Sequence, residues 1–338
     1  MSFSIHNDGR VALSVVMATW NNARRLHVTL EALTACSVPA GIRWELVLVA
    51  NNCGDDTAVV ARSFGDRLPI VYLEESRQGL SHARNTGVRA ARGSLIVFTD
   101  DDVTPCPEWL TEYWRAYTER PEGYYFGGRL IPEFEDGPPA PELAPFASLP
   151  VTGLDCGREP RVLREDERFL GANWACPGDA LRRVGQFDPR LGLDASLGRR
   201  RVGEEWDVMD RLRAAGVMPW YLPASVVGHF VPAHKCRLGY IAEGWEAHGH
   251  YSALRSAHVT PFLRRRAHLR PIVMERSATV GGVPWRAFWE AARFGARFML
   301  ASAMRSTDHA AYLSWRFALG AIRGHRERRS ERLGLRAA

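Results

Sequence analysis

Between residues 11 and 104, short apolar runs alternate with stretches whose apolar residues recur every three to four positions. Val11–Met17 (VALSVVM), Trp44–Val49 (WELVLV), Ile70–Leu73 and Ser94–Thr99 (SLIVFT) read as buried strands, and Ala23–Ala35, Asp56–Phe64 and Ser81–Ala91 as helices. Regular strand and helix alternation predicts a mostly parallel α/β sheet with helices on both faces. In such a sheet, functional side chains gather just beyond the C-terminal strand ends. Polar clusters fall there: Thr19–Asn22, Asn51–Asp56 and Asp100–Asp102.

The pattern then changes. Residues 132–160 are rich in proline (138, 139, 141, 145, 150 and 160) and lack periodicity, which predicts a long loop, taken as flexible over 133–168. A second structured block follows, with helices at Pro177–Val184 and Glu205–Ala215 and a strand near Pro219–Val227. Beyond Lys235 the pattern is helical to the end. Trp285, Phe288, Trp289, Ala292 and Met299 share one helical face, and Arg286, Arg293 and Arg297 share another. That stripe fits a helix packed on its own domain or on a second copy of the chain, and it equally fits a basic amphipathic helix lying on an anionic membrane surface. The expected division is an α/β half at 1–104, a second half at 105–235 and a basic helical region at 236–338.

Composition narrows the class. Hydrophobic content of 46% and charged content of 24% are those of folded globular chains, which disfavours a disordered tail, a collagen-like repeat and a polytopic membrane protein. No apolar run reaches the roughly 18 residues of a spanning helix, and residues 1–10 lack a signal-peptide pattern. The net charge of +6 is uneven: residues 237–338 carry 18 basic and 7 acidic side chains, leaving the preceding body negative. A basic tail suits an anionic partner. The six cysteines show no C-x-x-C pair and no zinc-ligand spacing, so reduced thiols and a cytoplasmic setting are expected.

Three constellations carry chemistry. Asp100, Asp101 and Asp102 directly follow the strand SLIVFT; adjacent like charges cost stability unless a cation compensates them, so this is a candidate site for a hard metal ion, although one of the three would suffice as a helix cap. The run Gly79–Gly87 (GLSHARNTG) places a helix N-terminus and Arg84 where an anion could bind. Gly203–Asp207 (GEEWD) offers carboxylates at a helix start, which can cap the helix or act as a general base.

These strings occur in a recognisable order: T-W-N-N (19–22), A-N-N-C-G-D-D-T (50–57), G-L-S-H-A-R-N-T-G (79–87), F-T-D-D-D (98–102), G-A-N-W-A (171–175), V-G-x-F-D (184–188) and G-E-E-W-D (203–207). Over about residues 11–235 the chain resembles family 2 glycosyltransferases of the GT-A fold. The resemblance implies inverting transfer of a sugar from a nucleotide-diphosphate sugar with Mn²⁺ or Mg²⁺. It places Thr19, Asn21, Asn51 and Asn52 in the nucleotide pocket, Arg84 near the ribose and phosphates, and Asp100 and Asp101 beside the donor. Asp102, with Asp100 and His229, would hold the metal. Glu205 would be the catalytic base, with Glu204 as the fallback. Asn173 and Trp174 would touch the acceptor or the sugar. His234, His248 and His250 read as surface residues.

Two departures from the family pattern stand out. Ala50 replaces a base-reading aspartate, which leaves UDP-, GDP- and dTDP-sugars open with UDP first, and Glu205 stands where the family usually has aspartate. No Q-x-x-R-W string follows the acidic motif, so one transfer onto a discrete acceptor is expected, lipid-linked or a small molecule such as a natural product. A homodimer and peripheral contact with the inner membrane face are further expectations, and nucleic acid is not an expected partner. The competing readings are a nucleotidyltransferase, which calls for a glycine- and lysine-rich loop that Ala18–Asn22 lacks, and a non-catalytic nucleotide-sugar-binding protein.

Overall fold

The computed structural model describes residues 11–120, 122–255, 278–304 and 306–334. The expected polar start at 1–10 and the expected helix across 256–277 lie outside the described residues. The chain divides into two compact units, one made of Met1–Glu133, Gly153–Gly192 and Glu204–Phe230, the other of Phe134–Thr152, Leu193–Gly203 and Val231–Ala338.

The first unit opens with the predicted alternation: β1 (Leu13–Thr19), α1 (Ala23–Thr34), β2 (Trp44–Asn51), α2 (Thr57–Ser63), β3 (Ile70–Glu75), α3 (Leu80–Ala90) and β4 (Leu95–Thr99). It continues with β5 (Val103–Pro105), α4 (Trp109–Glu119), β6 (Tyr124–Phe134), β7 (Arg161–Val162), β8 (Trp174–Pro177), α6 (Gly178–Val184), α7 (Glu204–Ala214) and β9 (Met218–Val231), while α5 (Leu149–Thr152) falls in the second unit. Among the described residues these strands form one sheet in the order β3-β2-β1-β4-β8-β6-β9-β5, with β7 on β9. The first four strands are parallel. Strand β8 pairs antiparallel with β4 and β6, and β9 pairs antiparallel with β5 and β7.

Strand β1 lies between β2 and β4 and buries both faces, which is why its sequence is a continuous apolar run rather than an alternation. Helix α3 lies directly on it: a Cβ at Gly87 would stand 2.5 Å from Val16 Cγ1, so the last glycine of the 79–87 run is a packing requirement. Antiparallel pairing of β4 with β8 sets Phe98 opposite Trp174. Their rings stack at 4.5 Å, with Phe187 edge-on to Phe98 at 5.5 Å, at the centre of the core. Trp174 is wholly buried, so the expectation that it touches the sugar is corrected: it holds the sheet together.

In the second unit, α8 (Leu238–Arg255) packs on α10 (His309–Arg332). The backbones meet at glycines. A Cβ at Gly249 would stand 2.0 Å from the Phe317 carbonyl oxygen, and one at Gly320 would stand 1.9 Å from that of Glu246. Ile241, Trp245, Leu313 and Phe317 fill the contact, joined by Ala147 and Val151 from the proline-rich segment, which is fastened here. The same packing buries His248 and His250, which the sequence analysis assigned to the surface. His250 Nε2 lies 2.8 Å from Glu327 Oε2. Burial, with the charge of Arg200, pushes the His248 imidazole down to about 3, so that ring stays neutral.

The tail is not uniformly helical. A hairpin, β10 (Thr279–Val280) and β11 (Val283–Pro284), turns at Gly281 and Gly282, both at positive φ (61° and 80°), before α9 (Trp285–Ala303) begins. Helix α9 has one packed side, where Ala287 and Glu290 are buried and Phe298 meets Tyr312 at 4.9 Å. Trp285, Trp289, Met299, Leu300 and Met304 face outward, between 50% and 73% exposed.

Replacing a wholly buried tryptophan in a stacked core removes its transfer energy and leaves a cavity. Trp174→Ala is therefore expected to cost about 3–5 kcal/mol, read as a lowered urea midpoint, whereas Trp285→Ala on the outward face of α9 should shift stability by less than about 0.5 kcal/mol.

Candidate active site

The carboxylates after β4 point in three directions. Asp101 turns toward the end of β1, where Thr19 Oγ1 donates to its Oδ2 at 2.5 Å and Asn22 Nδ2 to its Oδ1 at 2.9 Å. Asp100 receives Arg84 Nη2 at 3.1 Å. Asp102 Oδ1 lies 3.6 Å from His229 Nε2, because β5 and β9 pair with Val103 opposite His229. Withdrawal from water raises the Asp100 carboxyl, with Arg84 opposing the rise. The same cause, with the adjacent charge of Asp102, pushes Asp101 up to about 7.

Arg84 is the hub of this arrangement. It projects from α3, is 3% exposed, and donates from Nη1 to Glu204 Oε1 at 2.8 Å as well as to Asp100. A Cβ at Gly171 would stand 2.4 Å from Arg84 Nη2, so the glycine of G-A-N-W-A leaves room for the guanidinium. Both nitrogen ends are therefore committed to carboxylates. It clamps the start of α7 to the end of β4.

At the start of α7, Glu204 is buried and held by Arg84, and Asp207 accepts from Arg211 at 2.9 Å. Glu205 is part-exposed. Its carboxyl is raised well above the ordinary value, chiefly by removal from water and then by the charge of Glu204, while Arg84 opposes the rise. A carboxyl so raised is a stronger base than an ordinary one once it is ionised.

The asparagines divide. Asn21, at φ 47°, accepts from the Gly54 N–H at 2.7 Å and ties the loop after β1 to the loop after β2. Asn51 is buried; its Nδ2 donates to the Glu75 and Arg77 carbonyls, and its Oδ1 accepts from the Gly79 N–H at 2.8 Å. It shapes the turn that launches α3 and is not presented to a base. Asn52 is exposed, at φ 61°, with Nδ2 3.3 Å from Gln78 Oε1. Asn173 is 1% exposed and accepts from Trp109 Nε1 and Tyr113 Oη while donating to the Arg129 and Ser225 carbonyls. It knits the core, contrary to the expectation of an acceptor contact.

Sequence reasoning missed Asn22 as a holder of Asp101, although it closes the T-W-N-N string. It also missed Glu75, a buried carboxylate that accepts from Arg77 and Thr86 and whose pKa is held far below the usual range chiefly by Arg77.

The metal expectation is met only in part. Among the described residues no three His, Cys, Asp or Glu side chains converge into a set that would hold an ion by themselves. Asp100 faces Arg84 through Oδ1. Asp102 and His229 face each other, a carboxylate and an imidazole 3.6 Å apart. The Nδ1 atom of His229 is buried with no hydrogen-bond partner. Oxygen and imidazole donors suit Mn²⁺, and a divalent ion can take two protein donors when phosphate oxygens complete its shell. The pair fits such an ion.

Residues 14–170, which carry β1 through β7 and the three aspartates, match the sequence profile of glycosyl transferase family 2. Over that stretch, a little under half of the chain, the protein is similar to glycosyl transferase family 2. It is 36% identical over 204 residues to validoxylamine A glucosyltransferase of Streptomyces hygroscopicus subsp. jinggangensis, a stretch covering 57% of this chain and 42% of that protein. It is 25% identical over 183 residues to glucosyl-dolichyl phosphate glucuronosyltransferase of Haloferax volcanii, covering 53% of this chain and 57% of that one. The match thus spans about half the length of these relatives. The mannosyltransferase PcManGT of Pyrobaculum calidifontis, solved with GDP-Man and Mn²⁺, shares the fold at a TM-score of 0.54 and 17% identity, over 94% of this chain and 88% of that one. The GT-A arrangement expected from the sequence is the one observed. The seven strings quoted from the sequence supply strand-end turns, the Arg84 clamp and the core around Trp174.

Removing the cation from a buried ion-pair cluster leaves its carboxylates uncompensated. Arg84→Met is expected to cost about 3–5 kcal/mol in a urea titration, and a loss below about 1 kcal/mol would show that the clamp is not what joins α7 to β4.

Proposed function

We propose that the protein is an inverting, non-processive glycosyltransferase that moves one sugar from a nucleotide-diphosphate sugar to an acceptor hydroxyl. The observation that carries this reading is the grouping of Asp102 and His229 with the Arg84–Glu204 clamp and the part-exposed, raised Glu205, in a chain whose residues 14–170 match family 2. The relatives bear names of sugar transferases, and a structural neighbour was solved with a nucleotide sugar and Mn²⁺.

In this reading Glu205 takes the proton from the acceptor hydroxyl. The freed oxygen attacks the anomeric carbon from the side opposite the diphosphate, the new C–O bond forms as the old one breaks, and the electron pair leaves with the nucleoside diphosphate. Asp102 and His229 would hold Mn²⁺ or Mg²⁺, which supplies positive charge to the leaving diphosphate. Asp101, anchored by Thr19 and Asn22, and Asp100, anchored by Arg84, keep the strand-end turn in one shape so that Asp102 stays opposite His229. Exposed Asn52 and the loop set by Asn21 and Asn51 border the nucleotide side. Since Ala50 is buried and bears no polar group, the base is read by other groups, and the UDP-, GDP- and dTDP-sugars are the donors to compare.

The acceptor class follows the outward face of α9. Trp285, Trp289, Met299, Leu300 and Met304 are exposed on a helix that also bears Arg286, Arg293 and Arg297. Aromatic and aliphatic side chains beside arginine suit the headgroup boundary of an anionic bilayer, and no helix among the described residues is long and apolar enough to cross one. A lipid-linked acceptor at that surface is the favoured class; the small-molecule acceptor named for the Streptomyces relative is the other outcome.

Glu205→Gln is expected to leave donor affinity within about twofold and to lower kcat by about 10²–10⁴, whereas Asp102→Ala should abolish the Mn²⁺-dependent part of UDP or GDP binding in calorimetry. Because the Glu205 carboxyl is raised, kcat should fall as pH drops through a value above 4.5, the ordinary value for glutamate. Near-normal turnover of Glu205→Gln would remove it as the base. In a separate assay, the full chain should sediment with phosphatidylcholine vesicles only when they contain phosphatidylglycerol, and Trp285→Ser with Trp289→Ser should weaken this by at least about tenfold. Absence of sedimentation would reject the membrane surface and leave the small-molecule acceptor.

A further inference from the structure

Within the second unit, positive charge outnumbers the carboxylates that hold it. Arg199 and Arg201 reach Glu327 on α10 through Nη2, at 3.5 and 3.2 Å. Arg323, one turn before Glu327 on the same face of α10, lies with Nη2 2.5 Å from Glu246 Oε1 on α8. Arg316 takes the other oxygen of Glu246 at 2.6 Å. Four arginines thus share two glutamates, and His250 Nε2 also sits on Glu327, at 2.8 Å.

The carboxylate oxygens are used up before the guanidinium donors are. Glu246 meets Arg323 on Oε1 and Arg316 on Oε2, while Glu327 meets Arg201 on Oε1 and both His250 and Arg199 on Oε2. A contact between a guanidinium and a carboxylate settles at about 2.7–2.9 Å, so Arg199, at 3.5 Å, is the most loosely held of the four. A guanidinium carries more donors than one such contact uses. The side chains of Arg199 and Arg323 are 37% and 39% exposed, and among the described residues no further carboxylate pairs with either.

These like charges feel one another. Partial withdrawal from water and then the charge of Arg201 hold Arg199 below the ordinary arginine value; Glu327 opposes the fall and Arg323 adds to it. A local excess of positive charge is the condition that draws in an anion.

The donor set narrows the anion. A planar fork matches two oxygens on one atom, as in a carboxylate or a phosphate. A carboxylate is filled by one fork, whereas the three terminal oxygens of a phosphate can meet two guanidinia at once. Arg199 and Arg323 both lie at the surface, so the ligand does not have to enter an enclosed cavity. We propose that Arg199 and Arg323 form a phosphate-binding site in which one phosphate group bridges the two guanidinia, whether that group belongs to a soluble phosphate or to a lipid headgroup. The site uses none of the residues given to the transferase reading, so either can fail without the other.

The test is titration calorimetry of the full chain with inorganic phosphate, in EDTA so that no divalent ion recruits phosphate elsewhere, with sodium chloride at matched ionic strength as the control. Co-sedimentation with phosphatidylcholine vesicles containing phosphatidic acid forms the second arm. Arg199→Gln and Arg323→Gln should each weaken binding by at least about fivefold, whereas Arg183→Gln, which removes an exposed arginine of α6, should leave it unchanged. Phosphate binding without vesicle binding would identify a soluble ligand, and vesicle binding without phosphate binding a lipid headgroup; either supports the site when Arg199→Gln weakens it. Arg199→Gln carries the test alone if Arg323→Gln does not fold, because Arg199 is exposed and loosely paired. Binding of neither probe, an equal response to chloride, or undiminished binding by folded Arg199→Gln would overturn the proposal.

Discussion

Much of the site depends on a single buried guanidinium. The chain concentrates Asp100, Asp101, Asp102, Glu204 and Glu205 at strand and helix ends, and like charges gathered out of water oppose folding. Arg84 relieves two of them directly, at 2.8 and 3.1 Å, from a position that Gly171 keeps open. Thr19 and Asn22 stabilise a third by hydrogen bonds. What remains is a part-exposed glutamate and an aspartate facing a histidine. The clamp thus fixes Asp100 and Glu204 while Glu205 stays part-exposed, a division that depends on solvent exposure and on which donors reach which oxygen.

That division explains what could be read from the sequence. The parallel half of the sheet was legible because β1, β2 and β4 are almost wholly buried apolar runs and its helices are periodic, and all seven elements from β1 to β4 fall within a few residues of their expected places. The antiparallel half was harder. β5 has three residues, β7 two and β8 four, too short for a period to show, and β6 holds Gly127 and Gly128, which break its pattern. Those glycines are required there: Cβ atoms would meet the Phe169 ring at 2.2 Å and the Ser225 carbonyl oxygen at 1.9 Å. At residues 281–282 a Gly-Gly pair between valines was a legible hairpin signal that the helical stripe following it obscured.

Site residues were legible as a group and not one by one. The strings mark strand ends, and strand ends converge: Thr19 reaches Asp101 and Arg84 reaches Asp100. Their separate duties are set by hydrogen bonds that the chain order does not encode. Asn51 and Asn173 are the clearest cases: each is a polar residue in a conspicuous motif, and each is filled by buried backbone or side-chain partners. A buried asparagine needs that complement of partners whether or not a ligand exists. Likewise, histidines on α8 looked like surface residues because nothing local revealed that glycines on α8 and α10 would bring two backbones together over them.

The two glutamates at the start of α7 sit in different surroundings. A base must be able to shed its proton to water or product and to reach a substrate hydroxyl, and it must hold no permanent partner on the oxygen that does so. Glu204 has Arg84 at 2.8 Å and lies against Gly192, where a Cβ would stand 3.0 Å from its Oε2. Leaving that place would cost Arg84 one of its two carboxylate partners. Glu205, one residue on, keeps part of its surface and feels Glu204 as a neighbouring negative charge that raises its basicity. An aspartate there would carry its carboxyl one carbon nearer the backbone. The glutamate at this position, which in the sequence looked like a departure from the family, is thus part-exposed and raised, beside a Glu204 that Arg84 holds in place.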